Sequence, residues 1–349
     1  MKNFTKILLA ALLVVSFAAS AQDEEDSSPA LSISGSVDTY YRANLNASNN
    51  PEDGSVMAPG SSFANQPGFA LGMANLVIGL EGEKTGFVAD LVFGPRGTDA
   101  VFGSTTASSS IVNQLYAYWM VSDAVTLTVG NFNTFLGYEV ISPTANFNYS
   151  TSYMFSYGPF SHSGLKADVS LGDVSIMAGV FNPTDATDFN PSADYVFGAQ
   201  IGYGGAYLNA ILSEDFYQFD LTAGWDLTET VYLGVNATTA KESFSGAALY
   251  LQNSFSDDFS LGLRGEYLVM SEDAAGFEDP DSMSSLIYTA PGDAVIDLTL
   301  SANYSIGALT LIPEVRVDLY AEDTIQGSAD ATDTQNSLAS FVFAAVYSF

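Results

Sequence analysis

From Ile296 to Ser305 the chain deals apolar and polar side chains to alternate positions. Ile296, Leu298, Leu300, Ala302 and Tyr304 fall on one parity; Asp297, Thr299, Ser301, Asn303 and Ser305 fall on the other. Successive side chains of a strand point to opposite faces, so this segment has one apolar and one polar side. The next segment repeats it, with Leu309, Leu311, Val315, Val317 and Leu319 set against Thr310, Glu314, Arg316 and Asp318. Leu31 to Arg42, Phe87 to Phe93, Leu165 to Leu171, Phe219 to Leu227 and Phe259 to Val269 read the same way. About sixteen such segments are centred near residues 37, 76, 90, 116, 127, 165, 177, 199, 209, 221, 235, 250, 264, 300, 314 and 343. The least regular are Leu71 to Gly82, with several small residues, and Tyr207 to Leu212, apolar on both parities. After residue 21 no run approaches eighteen consecutive apolar residues, so any membrane crossing has to be made by strands closed into a barrel. An even strand number is what closed bacterial barrels require.

The connections between these segments alternate in length. Short ones are Glu83 to Gly86, Ser122 to Ala124, Gly172-Asp173, Gly204-Gly205, Thr228 to Thr230, Ser256 to Asp258 and Ile306 to Ala308. Long ones are Asn44 to Pro67, Gly94 to Ser110, Asn133 to Ser152, Asn182 to Ala193, Ala240 to Gly246, Ser271 to Asp293 and Ala321 to Ser337, and only Ser213 to Phe216 interrupts the rhythm. Outer-membrane barrels place tight turns in the periplasm and long loops outside, so both termini are expected on the periplasmic side. Aromatic residues of the apolar parity gather at both ends of the segments: Phe87, Trp119, Tyr203, Trp225, Phe255, Phe259 and Tyr304 at one, Tyr41, Phe93, Tyr195, Phe219 and Tyr267 at the other. Interfacial belts have this distribution, whereas a secreted β-sandwich has no reason to show it or to alternate its connections. The expected fold is an all-β, transmembrane, antiparallel up-and-down β-barrel of about sixteen strands over residues 30–349.

Ahead of the barrel, Lys2 and Lys6 precede the apolar run Ile7 to Ala19 and the small-residue triplet Ala19-Ser20-Ala21, the pattern of a secretory signal peptide over residues 1–21. Residues 22–29 read as an acidic, disordered leader. Loss of the two lysines would leave 40 acidic side chains against 7 basic ones, which argues against a nucleic-acid partner. An apolar content of 47% and 13% aromatics argue against a disordered chain, and zero cysteines exclude thiol chemistry and Cys-ligated metal. The single histidine, His162, has Ser161 and Ser163 beside it on the opposite face, so a hydrolytic triad has no support and no cofactor is expected.

Several blocks resemble the OmpL-like family of β-barrel porins between about residues 32 and 183. They are Ser34-Gly35-Ser36-Val37-Asp38-Thr39-Tyr40-Tyr41, Asp90-Leu91-Val92-Phe93-Gly94-Pro95-Arg96, and Gly130-Asn131-Phe132-Asn133-Thr134-Phe135-Leu136-Gly137-Tyr138-Glu139. Asn148-Tyr149-Ser150-Thr151-Ser152 and Gly158-Pro159-Phe160-Ser161-His162-Ser163-Gly164 follow in order. Asn131 and Thr151 stand where related sequences tend to carry Lys and Arg. The resemblance implies a channel-forming outer-membrane barrel without enzymatic activity.

If the apolar parity faces lipid, the lumen receives Asp38, Arg42, Glu81, Asp90, Lys166, Asp168, Asp220, Arg264, Glu266, Asp297, Glu314, Arg316 and Asp318. Carboxylates outnumber cations in this set, so a modest cation preference is expected, although the same charges also suit ladders that merely hold the wall. In sixteen-stranded porins the third external loop commonly folds inward. Here it offers Tyr138, Glu139, Asn146, Asn148 and Tyr149 as constriction residues for small polar or cationic solutes. The final strand, ending on Phe349, resembles the signal read by barrel-assembly machinery. Expected partners are therefore outer-membrane lipid, that machinery, the solutes and further copies of the chain in a homotrimer, with small outward residues such as Gly72 and Ala74 as a contact. Glu272, Asp273, Glu278, Asp279 and Asp281, and Glu322, Asp323, Asp330 and Asp333, form acidic external loops. They suit weak Ca2+ or Mg2+ binding, but with no EF-hand spacing a solvated surface is the favoured reading. The rival function is a non-conducting barrel that acts as adhesin or envelope scaffold through these loops. Strand number separates the two, because eight to ten strands enclose only side chains and about sixteen leave a channel.

Overall fold

The computed structural model describes residues 29–50, 63–274, 291–323 and 325–349 apart from 327, 329 and 331. Residues 1–21, expected as a signal peptide, nearly all of residues 22–29, expected as a leader, and Glu278, Asp279 and Asp281 lie outside the described residues.

Sixteen antiparallel strands close into one barrel. They are β1 (Ala30–Asn44), β2 (Gly68–Glu81), β3 (Thr85–Phe93), β4 (Val112–Ser122), β5 (Val125–Asn133), β6 (Ser161–Leu171), β7 (Val174–Phe181), β8 (Val196–Tyr203), β9 (Ala206–Leu212), β10 (Tyr217–Asp226), β11 (Val231–Ala240), β12 (Phe244–Ser254), β13 (Phe259–Met270), β14 (Ala294–Ile306), β15 (Leu309–Tyr320) and, after two short segments, β18 (Ser337–Ser348). Those segments, β16 (Ile325–Gln326) and β17 (Thr334–Gln335), pair only with each other. Each strand is bonded to its sequence neighbour, and β1 closes the ring on β18 with Tyr40 opposite Ala344. Gly35 and Phe349 exchange backbone hydrogen bonds, both 3.0 Å, which puts the first and last strand ends together beside the tight turns. Among the described residues no helix is long and apolar enough to cross a membrane.

All sixteen sequence-derived centres fall inside observed strands. The connections alternate as expected, with eight on the loop side, here L1 to L8. L3 spans residues 134–160 and L4 spans 182–195, while L2, residues 94–111, carries the short helix α1 (Pro95–Ala100). Three details differ from expectation, the first being that L3 runs on past Ser152 to Phe160 before β6 begins. L6 is only Lys241 to Ser243, because β11 and β12 run on to Ala240 and from Phe244. Gly72 faces inward, since the β1–β2 register shifts between Val37 and Thr39 and turns Gly72 and Met73 both inside. A Cβ on Gly72 would collide with the Asp38 carboxylate and the Tyr149 hydroxyl, so it marks a close approach inside the barrel rather than a subunit contact.

The outward parity is uncovered and apolar: Leu263, Leu298 and Leu300 on β13 and β14 are exposed, as are Trp119, Tyr203, Trp225 and Tyr304 at the tight-turn end and Phe93, Tyr195, Phe219 and Tyr267 at the loop end. Only lipid makes such a surface stable. Inside, the tight-turn half is half-open, with Ser34, Tyr118, Thr126, Tyr207, Tyr232 and Gln252 partly accessible. The loop half is packed. One cluster joins Tyr153 and Met154 of L3 to Phe244, Tyr250, Leu268, Val295 and Leu338 of the wall, and another joins Leu136 of L3 to Tyr116, Phe132, Phe181 and Ile211. This explains why β9 is apolar on both parities: Leu208 and Leu212 meet lipid while Ile211 is fully buried against the loops.

A lysine tests the outer face by depth. Leu300→Lys, at mid-strand, should cost about 2–4 kcal/mol, and Ile306→Lys, at the strand end, about 0–1 kcal/mol. Denaturant titration in lipid vesicles measures both; equal costs would mean that this face does not meet a bilayer.

Candidate functional site

L3 passes into the lumen instead of covering it, and a backbone buried there must find hydrogen-bond partners other than water. The wall supplies them as charged side chains. Glu314 accepts the amides of Tyr149, at 2.8 Å, and Ser150, at 3.1 Å, while its Oε2 also takes the Ser301 hydroxyl at 2.6 Å. Glu266 accepts the amides of Tyr153 and Met154, at 2.8 and 2.6 Å. These amides open the short helix α2 (Tyr153–Tyr157), whose remaining first-turn donor, the Phe155 amide, is capped by Ser152 Oγ at 3.1 Å. Asp220 receives the Gly137 amide at 3.0 Å, and Asp38 receives the Tyr149 hydroxyl and the Met73 amide.

The carbonyls are held by guanidinium groups. Arg264 donates to Ser150 O at 2.6 Å and to Thr151 O at 3.4 Å, and Arg316 donates to Thr151 O at 2.7 Å. Both arginines are there for a wall reason as well. Register places Glu266, Asp297 and Asp318 side by side across β13, β14 and β15, three carboxylates that repel unless cations separate them. The adjoining row reads Arg264, Thr299, Arg316. Arg264 meets Asp297 at 2.7 Å and reaches across to Glu139 of L3, also at 2.7 Å; Arg316 meets Asp318 at 2.8 Å and Asp297 at 3.7 Å. Glu139 in turn takes the Ser152 amide at 2.7 Å. Arg264, Asp297 and Asp318 are each 0% exposed, so the attraction is screened by little water and removing one partner strands a buried charge.

The remaining candidates have other surroundings. Asp90 is a hub for the amides of Asn75, Asn113 and Gln114, and Asp220 for those of Asn209 and Asn236. Arg42 is buried, and its two terminal nitrogens meet no acceptor among the described residues. Lys166 and Asp168 form a half-open ion pair at 3.0 Å, with the ammonium over the Phe132 ring. Glu81 is exposed at the tight-turn end. In L3, Tyr138 stacks on Tyr250 with centroids 4.1 Å apart, Asn148 donates to Ser301 at 2.7 Å, and Asn146 closes an internal turn on Val140. His162 pairs with Thr134 at 2.9 Å among the rings of Phe132, Phe135 and Phe181, an aromatic niche without a carboxylate. No group of three or more Asp, Glu or His side chains suited to a metal gathers among the described residues.

Sequence reasoning did not single out Arg96 of α1, which is 1% exposed and bonds Ile141 O at 2.9 Å and Tyr149 O at 3.3 Å. The signal was local: Gly94, at φ 97°, and Pro95 start a helix where a strand should simply end. Asp185 of L4 was missed too. Its carboxyl takes the amides of Phe160 and Ser161, at 2.7 and 2.9 Å, and burial pushes it up to about 6. On the surface, the Ser109 and Thr105 donors of L2 hold Asp188 down at about 2.

A closed sixteen-stranded barrel with a lipid-compatible exterior, a polar inward parity and an infolded third loop has the architecture of an outer-membrane porin. The chain belongs to the family described as "Putative beta-barrel porin-2, OmpL-like", whose model matches residues 30–349. No curated protein matches it in sequence. Solved structures with the same fold include an anion-selective porin from Comamonas acidovorans, 10% identical, TM-score 0.56, covering 92% of this chain and 100% of that one. Another is the trimer form of OmpT, an outer-membrane protein of Vibrio cholerae, 11% identical, TM-score 0.55, covering 92% and 99%. The loop L8 deletion mutant of that protein is also 11% identical, with TM-score 0.55 and coverage of 93% and 100%. The protein is thus a porin-type barrel of the outer membrane.

Arg264→Met should leave Glu139 and Asp297 facing each other and cost about 3–5 kcal/mol, read as a lower denaturant midpoint and as protease cutting within 148–154. An unchanged midpoint and intact L3 would show that the wall charges do not hold the loop. For Asp185, the folded carboxyl titrates above its ordinary 3.8. The L3–L4 joint is therefore most stable below about pH 3.8 and loses that contribution as pH rises through about 6. Hydrogen-exchange protection at the Phe160 and Ser161 amides should fall across this window in the native protein and stay level in Asp185→Asn.

Proposed function

We propose that this barrel is a narrow porin for passive diffusion of small polar solutes, with a mild preference for cations. The observation that carries the reading is the sixteen-stranded closure, since a ring of that size encloses more space than its own side chains fill. L3 takes up much of that space, so permeants are small. The cation preference arises mainly at the mouths. At the loop end Asp188, Asp194, Glu214, Asp215, Glu242, Glu272, Asp273, Glu322 and Asp323 are exposed, against a partly covered Lys241. At the tight-turn end Glu83, Asp123, Asp173, Asp226, Glu229, Asp257 and Asp258 are exposed, against Lys84. Mobile cations collect in front of such surfaces within a Debye length of about 8 Å at physiological salt. The wall charges Arg264, Arg316, Asp297 and Asp318 contribute less, because they neutralise one another out of solvent.

On this reading the tight turns and both chain ends face the periplasm, Phe349 presents the final strand to the assembly machinery, and the barrel assembles as a homotrimer. The likeness to the trimer form of Vibrio cholerae OmpT supports the last point. A second reading, a non-conducting scaffold with acidic loops, draws on the burial of Asp38, Asp220, Glu266 and Glu314 against L3.

Conductance of the purified barrel in a planar bilayer under a KCl gradient separates the two. The porin reading expects small stable steps and a reversal potential of cation sign, weakening at high salt. Silence both in the native protein and in a folded variant with the middle of L3 excised would leave the scaffold.

A further inference from the structure

L3 is fastened from two sides, and the two fastenings differ in kind. Every strand residue named above as bonded to residues 139–153 lies on β1 or on β13 to β15. Gly137 meets Asp220 of β10, and over β2 and β3, next to β1, the loop is held by α1. There the Arg96 guanidinium bonds Ile141 O and Tyr149 O and lies between the rings of Phe63, 5.0 Å from its centre, and Tyr149, at 5.3 Å. Ile141, Phe155 and Phe160 of the loop join Ala100 and Val101 of L2 in one cluster, and that cluster rests on Met73 and Val92 of β2 and β3. Gly97 lets the helix close on the wall, since a Cβ there would come within 2.9 Å of the Val92 side chain.

Toward the tight turns from Met73 and Val92, the β2–β6 wall changes character. Asn75, Asp90, Asn113, Asn131 and Ser163 bond to one another in a continuous polar strip: Asn113 to Asp90 at 2.6 Å, Asn131 to Asn113 O at 2.8 Å, Ser163 to Asn131 at 2.9 Å. Below it the half-open pair Lys166–Asp168 reaches the tight-turn vestibule. This strip is polar and carries a carboxylate, and with L3 and α1 on its loop side Asn75, Asp90, Asn113 and Asn131 are buried.

We propose that Arg96 is the positioning residue of the channel: it holds L3 over the β2–β6 strip, and solutes pass along that strip, with Asp90 adding to the cation preference that the mouths set. The inference rests on the porin reading above. Loosening the strap on the Arg96 side leaves L3 tied to β13–β15 by Arg264, Arg316, Glu266 and Glu314, so the lumen opens on one side without unfolding the barrel.

The test compares native protein, Arg96→Ala, Arg96→Lys, Arg96→Ala/Asp90→Asn and the L3-excised variant in planar bilayers, each first shown to be a folded barrel by its heat-modifiable gel mobility. Arg96→Ala is expected to raise the conductance step several-fold and shift the reversal potential further to the cation side. Arg96→Lys, with charge and a donor retained, should return both most of the way. Asp90→Asn on the opened background should reduce the cation shift while leaving the step size, a split that general loosening does not produce. Native steps and native selectivity in a folded Arg96→Ala protein would overturn the proposal while a conducting L3-excised barrel keeps the porin reading. If Arg96→Ala does not fold, Arg96→Met, which keeps the stem and removes every donor, decides: an unchanged step and reversal potential overturn it. A silent L3-excised barrel removes both.

Discussion

The interaction on which the interior depends is the hydrogen bond between a wall carboxylate and a backbone amide of L3. A loop carried into a lumen loses water from its N–H and C=O groups, and each unsatisfied group costs on the order of 1–3 kcal/mol. Strands cannot repair this, because their own backbone groups are already committed to the barrel ladder. Side chains must, and only charged ones make the bonds strong enough to order so irregular a segment. Glu314 and Glu266, accepting from the amides, and Arg264 and Arg316, donating to the carbonyls, convert residues 149–154 into a hydrogen-bonded strap with almost no regular structure.

That arrangement explains a composition otherwise hard to place. A chain with 40 acidic and 9 basic residues sends seven carboxylates and three guanidinium groups into the packed wall, namely Asp38, Asp90, Asp220, Glu266, Asp297, Glu314 and Asp318 with Arg42, Arg264 and Arg316. Their distribution is uneven. Asp297 and Asp318 bond to arginine, whereas Asp38, Asp90, Asp220, Glu266 and Glu314 bond to neutral amide and hydroxyl donors. Neutral donors stabilise a carboxylate without cancelling its charge. Most of the wall carboxylates are therefore held by hydrogen bonds rather than by ion pairs, out of solvent.

How much of this was legible follows from what periodicity encodes. Period two sorts Ile296 from Asp297 and Arg316 from Val317 without ambiguity, because a lipid face and an interior face impose opposite demands on neighbouring residues. The sixteen strands, the alternation of connections and the inward parity of the charged residues were all readable for that reason. Depth was not. Parity assigns Asp297 and Asp168 to the same face, yet one is sealed between two arginines and the other remains partly open. Nor does parity survive a bulge: one extra residue opposite Val37 to Thr39 carries Gly72 inside. Arg96 stands in one of the family-like blocks, yet nothing in a two-residue period says that a loop arginine will turn back into the barrel.

The strap is not held alike along its length. On the β13–β15 side the loop is held by interlocked ions, where each bond depends on its neighbour and removal of one member leaves buried charge behind. On the β2–β3 side it is held by one guanidinium against two carbonyls and by apolar contacts, which can part without exposing a net charge on the loop itself. The two attachments differ in kind, interlocked charges on one side and mostly apolar contact on the other. Glu314, Arg264 and Arg316 lie on the first, and the amide-lined strip around Asp90 lies under the second, where a displaced loop would leave polar groups in the path rather than an apolar surface that drives water out.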